Sequence, residues 1–466
     1  MIPYPNWLNA GDNAWQLIAA TLVGLMSIPG IAVLYAGIVQ RKWAVNTMVM
    51  AFSGFGLVLI VWVLWVFRMG FGEALPLGPG VLGNIVGIPG PVLGPTSEQG
   101  QAAIPLLHGL LPDFRFPQST LVYFQFVFAA ITPLLFLGSV IGRISFKVWL
   151  IFVPLWSTLA YSVNAFLLWG GGWWAQQGAL DYSGGYVIHL AAGTSGFVAA
   201  AVIGPRLARD RAHAAPNNLP LAAVGAGVLW LGWNGFNGGD PYFAGADAAA
   251  AVLNTNLATA AAMLTWLLMD MAFTPQHKPA FLGAVNGMIV GLVAITPAAG
   301  YVNGAGALIM GLVASAIVWL SWNKLGKLKL FTRVDDALGV VHTHGVAGLC
   351  GGLLVGLFAD PGMIVYLGQK GAADVSFGGL FYGNPQQLLV QAGAALTVIV
   401  WDALITFLIL KFLGLFMKLR LPDPVLESGD LGVHGEEALP AETLSTAGTA
   451  ATPAPAPAPV ASDKST

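Results

Sequence analysis

Charged side chains are scarce in this chain of 466 residues. Asp, Glu, Lys and Arg make up 9% of it, whereas soluble domains carry about 25%. Hydrophobic residues account for 56%, and the mean hydropathy is +0.75. Several apolar runs reach the length of about 20 residues that a helix needs to cross a bilayer. The composition therefore predicts an all-α polytopic membrane protein surrounded by lipid.

Cysteine is nearly absent, since Cys350 is the single one in the sequence. One cysteine excludes an intramolecular disulfide and any metal cluster built on several thiolates. An excess of positive charge is also missing, because 19 basic and 21 acidic residues leave a net charge of −2. We therefore expect no nucleic-acid partner, and we predict no bound metal or other cofactor.

Eleven apolar runs have the length of a transmembrane helix. Their approximate limits are 13–37, 44–67, 119–141, 148–169, 186–204, 218–236, 251–272, 280–297, 302–322, 338–358 and 388–417. Lys and Arg concentrate in alternate loops. One set of loops carries Arg41, Lys42, Arg143, Lys147, Arg206, Arg209, Arg211, Lys278, Lys324, Lys327, Lys329, Arg333, Lys418 and Arg420, and the other set carries Arg68, Arg115 and Lys370. Because basic loops stay on the cytoplasmic side, we predict the N-terminus outside and the C-terminus inside.

Two histidines recur in matching contexts within these spans. His189 follows Asp181 by eight residues, and His344 follows Asp336 by eight. Glycines follow each histidine at the same two spacings, at positions 193 and 196 and at positions 348 and 351. Because the fifth and tenth spans run in opposite directions, the pattern predicts an inverted five-plus-five repeat with an eleventh, bracing helix.

An ionisable residue inside a membrane span is a candidate functional site, because it is costly to bury there. Two neutral imidazoles in contact can share a proton and hydrogen-bond a small polar solute. Each histidine could instead be a packing residue, and a metal or haem site would need further ligands. His342 lies about 200° around a helix from His344 and should face elsewhere. Asp181 could cap a helix or place negative charge at the outer entrance.

Three segments differ in composition. Residues 1–420 hold the apolar spans and form the predicted transmembrane domain. Residues 421–440, which include LESGDLGVHGEEA, are polar and predict a cytoplasmic regulatory segment. Residues 441–466 are rich in Pro, Ala, Ser and Thr, and we expect them to be disordered because they cannot bury a core.

Several specific motifs occur together and in a fixed order. They are PGIAVLYAG at 29–37, FQFVFAAITP at 124–133, HLAAG at 189–193, WLGWNGFNGG at 230–239 and VDDALGVVHTHGVAG at 334–348. Over residues 12–440 the chain resembles the Amt/Mep/Rh family of ammonium transporters. Its His-x-His run is similar to the branch that includes plant type-2 and fungal-like transporters. The resemblance implies a transporter, not an enzyme, located in the cell membrane.

The resemblance also implies roles for five residues along a pore. His189 and His344 would be its paired histidines. Phe128 and Phe236 would be the stacked rings that close the outer entrance, and Trp169 would bind ammonium outside them by cation–π contact.

Four polar residues complete the implied site. Asp181 would be the buried carboxylate that supports recognition and deprotonation, and Gln125 and Tyr161 match further polar positions of the pore. The family often has a serine four residues after its second gate phenylalanine, where this chain has Asp240. We expect Asp240 to attract ammonium from the protein surface, through solvent and subject to screening by salt.

The resemblance implies ammonium uptake, in which NH4⁺ is recruited outside and deprotonated, and NH3 passes the histidines. The proton could follow separately. Implied partners are two further copies of the chain in a homotrimer and, in many relatives, a cytoplasmic PII-type regulator. Two other interpretations stay open: a neutral channel for NH3 or CO2, as in some Rh relatives, and an ammonium sensor that signals through its cytoplasmic tail.

Overall fold

The computed structural model describes residues 5–108, 111–212, 215–366 and 375–438. The predicted disordered tail, 441–466, lies outside these residues. Within them, ten helices are long and apolar enough to cross a membrane, and α8 is a shorter apolar helix. The helices are α1 Ala10–Ile38, α2 Arg41–Phe71, α3 Gln118–Val140, α4 Phe146–Gln176, α5 Gly185–Ile203, α6 Leu219–Gly238, α7 Ala246–Phe273, α8 Phe281–Ile295, α9 Gly304–Lys327, α10 Val341–Phe358 and α11 Gln386–Leu413. The prediction of an all-helical, polytopic architecture is confirmed.

Two details differ from the sequence-based prediction. The run 280–297 forms a helix of only 15 residues, α8, because the chain turns at Thr296 and Pro297. The last span ends at Leu413 rather than at 417. A short antiparallel pair, β1 Ile364–Tyr366 and β2 Val375–Ser376, lies in the connection between α10 and α11.

Asparagine caps three of the helices. Asn9, Asn218 and Asn303 precede α1, α6 and α9, and each side-chain oxygen accepts the backbone N–H three residues on, at 3.1, 2.9 and 3.0 Å. A short polar side chain at this position satisfies one of the N–H groups that a helix start leaves unpaired. The first helix of each predicted half, α1 and α6, therefore begins with the same device.

Helix α3 lies at the centre of the bundle. Its apolar window is 94% buried, compared with 39% for α2, α7 and α11. Those three helices leave large apolar side chains exposed, as lipid-facing helices do. The functional side chains can therefore be sought around α3 and its neighbours α5, α6 and α10.

Helices α5 and α10 approach each other closely. Both begin with a π-helical turn, Gly185–Leu190 in α5 and Val341–Val346 in α10. A methyl group at Gly193 would collide with the backbone of Gly345, and one at Gly348 would lie 3.0 Å from the Leu190 nitrogen. Small residues at a crossing let helix backbones approach in a membrane. Each glycine lies four residues after its histidine and faces the residue that follows the other histidine.

The end of the bundle opposite Trp169 is held by buried ionic groups, and we call it the Arg143 end. Arg143 is fully buried and donates to the Gly204 carbonyl at 2.7 Å and to the Asp335 carbonyl. Arg206 pairs with the Asp335 carboxylate through bonds of 2.7 and 2.9 Å. Burial alone would raise the pKa of Asp335, but the hydrogen bonds and charge of Arg206, with the charge of Arg143, hold it below its usual value.

The segment after α11 docks on the same end through two short helices, α12 Asp423–Ser428 and α13 Asp430–His434. The Asp430 carboxylate accepts from the backbone N–H groups of Val45 and Asn46, both at 2.8 Å. Lys42 donates to the Leu426 carbonyl at 2.8 Å. These bonds fix the segment against the start of α2.

The crossing of α5 and α10 yields a test of packing. We expect Gly193→Val to lower the thermal unfolding midpoint of the detergent-solubilised protein, because the added atoms meet backbone that cannot move aside. Overpacking of this kind costs about 1–3 kcal/mol. Gly227→Val is the matched control, since a Cβ at that helical glycine meets no atom of another element within 4 Å. Equal midpoints for the two variants would contradict the close crossing.

Candidate functional site

The two histidines meet in the interior of the bundle. Their Nδ1 atoms lie 3.2 Å apart, and the rings are stacked with centroids 5.3 Å apart at 21°. His189 is fully buried and His344 is 5% exposed. At this distance one ring donates its N–H and the other accepts it, so the pair has complementary tautomers. The two histidines, which each follow an aspartate by eight residues in the sequence, are therefore in direct contact in the structure.

An unbroken series of aromatic rings leads to the histidines from Trp169. Trp169 lies edge-on to Phe128, with centroids 6.2 Å apart at 90°. Phe128 and Phe236 are both fully buried, with centroids 4.5 Å apart. Phe236 stacks at 5.9 Å on His189. The rings thus block the path between the Trp169 end and the histidine pair.

The opposite side of the histidine pair is open. A cavity of about 340 Å³ extends from the Arg143 end to His344 and is lined in part by Asp270, Asn286 and Thr343. His342 takes no part in the pair. It contacts Ser321 at 2.8 Å and lines a second cavity of about 200 Å³. Its predicted orientation away from His344 is confirmed.

Asp181 connects the start of α5 to Trp169. Its Oδ2 accepts from the backbone N–H groups of Tyr186 and Val187, at 3.1 and 3.0 Å. Its carbonyl accepts from Trp169 Nε1 at 2.6 Å. Burial raises the pKa of the Asp181 carboxyl to about 7, although the backbone N–H groups of residues 184–187 favour its charged form. The capping geometry is therefore present together with a carboxyl that can titrate near neutrality.

Asp336 begins α10 in the same way as Asp181 begins α5. Asp336 Oδ2 accepts from the Val341 N–H at 2.8 Å. Three residues after each aspartate stands a glycine with positive φ, Gly184 at 106° and Gly339 at 70°. Only glycine adopts such a backbone without strain. The shared element of the two halves is therefore an Asp-x-x-Gly turn followed by a π-helical turn that carries the histidine.

Asp240 is not at the surface, so the expected solvent-exposed position is wrong, and its expected attraction of ammonium stays a prediction. It lies just beyond α6 and is 4% exposed. The Ser183 hydroxyl and the Asp181 carboxylate both influence its electrostatic environment. Burial first, and then the Asp181 charge, raise the pKa of Asp240 well above its usual value, and Ser183 partly offsets the rise. The loop at residues 239–245 is held against α1, because Gln16 donates to the Gly239 carbonyl at 2.6 Å and the Ala244 N–H donates to the Asp12 carboxylate at 2.9 Å.

Gln125 and Tyr161 occupy two different places. Gln125 donates to the Tyr242 hydroxyl at 2.9 Å, so it holds the loop that carries Asp240 rather than the histidines. Tyr161 is fully buried, with ring contacts to Trp62 and Trp156, and the charges of Asp240 and Asp181 both act on its hydroxyl. Most of the predicted site residues therefore form a continuous row of aromatic and imidazole rings, and the Asp181 carboxyl group lies beside the Trp169 end of this row.

Comparisons with known proteins bear on this arrangement. The sequence matches the Ammonium Transporter Family over residues 14–439. It is 48% identical to ammonium transporter 3 member 2 of Oryza sativa subsp. japonica, over 93% of this chain and 90% of that protein. It is 47% identical to ammonium transporter 2 of Arabidopsis thaliana, over 93% and 89% of the two chains.

The chain belongs to the ammonium transporter family. The resemblance found in the motifs is thereby confirmed, and the chain is a multi-pass membrane protein of a transporter family. Its fold is similar to the crystal structure of Saccharomyces cerevisiae Mep2, with a TM-score of 0.75 and 27% identity over 90% of this chain and 89% of that one.

Trp233 is not among the predicted site residues, yet it lies beside the histidine pair. Its ring stacks on His189 with centroids 5.3 Å apart at 18°, and its Nε1 donates to the Thr296 hydroxyl at 2.9 Å. Trp233 precedes Phe236 by three residues, a spacing that puts both on one face of α6. That spacing was available in the sequence and points to a second ring beside the histidine.

The cap at α5 predicts different effects for two substitutions of Asp181. Asp181→Asn keeps an oxygen that can accept from Tyr186 and Val187, so we expect an unchanged thermal midpoint. Asp181→Ala leaves buried N–H groups unpaired and should cost about 1 kcal/mol, as loss of an N-cap does. Thermal unfolding in detergent checks the order of the two variants, and an Asn variant as unstable as the Ala variant would refute the cap.

Proposed function

We propose that this protein transports ammonium, and that the path runs from Trp169 through the phenylalanine pair to the paired histidines. The observation that carries the proposal is the continuous contact of Trp169, Phe128, Phe236, His189 and His344. Membership of the ammonium transporter family supports the choice of substrate.

Recruitment takes place at Trp169. The faces of aromatic rings attract small cations, best at tryptophan. The Asp181 carbonyl fixes the indole by accepting its N–H, which orients the ring beside Phe128. An ammonium ion held there waits at the outer side of the two buried phenylalanines.

Deprotonation occurs near Asp181, before the path narrows. Moving an intact cation through the buried rings would cost several kcal/mol of lost hydration, whereas neutral NH3 avoids most of that cost. Potassium has no proton to lose and is therefore rejected. The titration of Asp181 near neutrality suits a group that accepts a proton from ammonium.

The histidine pair conducts NH3 and relays the proton separately. NH3 can accept from one ring nitrogen and donate to another, which replaces its lost water contacts. Proton transfer between the rings needs only the short Nδ1–Nδ1 contact of 3.2 Å. The net movement is then that of NH4⁺, so it carries current. A neutral NH3 or CO2 channel would carry none, and current recordings on proteoliposomes after an ammonium pulse distinguish the two.

We assign α1–α11 as eleven transmembrane helices, with the N-terminus outside and the C-terminus in the cytoplasm. Helices α1–α5 and α6–α10 form the inverted repeat, and α11 braces it. The alternating basic loops support the orientation. The matched Asp-x-x-Gly turns and glycine contacts of α5 and α10 support the repeat. On this assignment the Arg143 end is cytoplasmic.

Residues 1–420 form the transport domain in this proposal, and 421–440 form a regulatory segment whose contacts with Lys42, Val45 and Asn46 favour docking at the cytoplasmic face. The family supports a homotrimer in the cell membrane with one pore in each subunit. A PII-type regulator would approach from the side of this segment.

The paired histidines give the most direct functional test. His189→Ala and His344→Ala should each lower the preference for ammonium over K⁺ by about tenfold, the effect of losing one hydrogen bond worth about 1.4 kcal/mol. Ion-replacement current recordings measure this preference. His342→Ala is the matched control, because His342 lines a separate cavity. Unchanged selectivity in both pair variants would exclude the assigned path.

Two truncations test the division of the C-terminal part. Ending the chain at residue 440 should leave the ammonium current intact, because the docking contacts remain. Ending it at residue 428 removes the bonds of Asp430 to α2, each worth about 1 kcal/mol, and should reduce the current. Surface labelling provides the correction for protein amount. The same current from both truncated proteins would show that the segment has no regulatory role.

A further inference from the structure

A second carboxyl group, Asp240, lies in the same buried region as Asp181. The two residues are 4% and 5% exposed and come from different parts of the chain, one after α6 and one before α5. Packed rings connect the two: Trp169, which donates to the Asp181 carbonyl, lies against Phe128, Phe128 contacts Phe124 at 4.8 Å, and Phe124 contacts Tyr242 of the Asp240 loop at 6.0 Å. The Asp181 charge raises the pKa of Asp240, in agreement with this closeness. The groups acting on Asp240 are the Ser183 hydroxyl and the Asp181 carboxylate, and neither is cationic.

Four oxygen atoms of this region lack a hydrogen-bond partner among the described residues. They are Asp181 Oδ1, Asp240 Oδ2 and the hydroxyl oxygens of Tyr161 and Ser183, all buried. Buried polar atoms are nearly always partnered, so such a group of acceptors indicates a ligand that donates hydrogen bonds. Ammonium has N–H donors in every direction and no acceptor, and it carries the positive charge that the carboxyl groups lack nearby.

We propose that Asp181 and Asp240 form one carboxyl pair that holds a proton at rest and releases it to the outer solution when an ammonium ion binds to the pair. This proposal rests on the proposed function and names the group that recognises and deprotonates the ion. It also gives Asp240 a direct role, in the position where the resemblance implies serine.

The proton balance of the step closes between the carboxyl pair, the histidine pair and the outer solution. At rest one carboxyl is protonated and the other charged, because two like charges buried together cannot both ionise without a cation. Ammonium binding supplies that cation, and the resident proton leaves. One N–H bond of the bound ion then breaks and an O–H bond forms on a carboxylate, while the electron pair stays on nitrogen. NH3 departs towards Phe128, this proton follows through the histidine pair, and the carboxyl pair takes up one proton again from the outer solution.

Competition between protons and ammonium follows from this exchange. When binding releases one proton, the apparent affinity for ammonium rises about tenfold for each pH unit. Two buried carboxyl groups that share one proton hold it more tightly than Asp181 alone would, so the dependence extends to higher pH than it would with Asp181 alone. Burial raises the pKa of Asp240 well above its usual value. Without Asp240, Asp181 alone remains, and its pKa of about 7 leaves little dependence above that pH.

The test measures the half-saturating NH4⁺ concentration of the current between pH 7 and 8.5. We expect it to fall close to tenfold per pH unit in the unmodified protein and to stay nearly flat in Asp240→Asn and Asp240→Ser. Asp247→Asn is the matched control: Asp247 is a half-buried carboxyl at the start of α7, in the same loop region, and should keep the unmodified slope. The full slope in both Asp240 variants would overturn the proposal.

A measurement on the unmodified protein keeps the proposal testable if the variants misfold. Calorimetric titration with ammonium chloride in two buffers of different ionisation enthalpy counts the protons released, and we expect close to one for each ion bound. A count of zero would overturn the pair. Absence of any saturable ammonium current in the unmodified protein would instead refute the proposed function, so the two failures are distinct.

Discussion

The contact between His189 and His344 sets the geometry on which the rest of the bundle depends. Each ring satisfies the Nδ1 atom of the other in this apolar interior, and a distance of 3.2 Å between these atoms leaves little tolerance. The helices that carry them must therefore cross closely, which Gly193 and Gly348 allow. They must also begin at fixed points, which the Asp181 and Asp336 caps provide.

The cost of desolvating a cation explains the order of the groups along the path, with the carboxyl groups first, then the aromatic rings and then the histidines. Rings from Trp169 to Phe236 fill the path, so an ion that reaches them loses its water without gaining a compensating charge further in. On the proposed mechanism the charge is removed where carboxyl groups are present, beside Asp181. Beyond the rings, the histidines need to recognise only a neutral solute, and the cavity next to His344 returns it to water.

Much of this site was predictable from the sequence, because it rests on short regular spacings. The intervals from Asp181 to His189 and from Asp336 to His344 predicted the pair, and the orientation of His342 followed from helical geometry. Asp240 was not predictable in the same way. It lies in an irregular loop whose burial depends on distant contacts, such as that of Gln16 with Gly239, and no local period encodes these. Trp233 was within reach, since it shares a helix face with Phe236.

The two halves use one device in opposite electrostatic surroundings. Asp181 and Asp336 cap α5 and α10 alike, yet Asp181 has an indole, a serine and a second carboxyl nearby, and its pKa rises to about 7. At the other end, Arg206 pairs with Asp335, the residue beside Asp336, and keeps the Asp335 pKa low. The two matched Asp-x-x-Gly turns therefore stand beside a carboxyl with a raised pKa at one end and beside paired, fixed charges at the other. On the proposed mechanism only the first environment can exchange a proton with a bound cation, so the direction of recruitment depends on the side chains around the caps and not on the caps themselves.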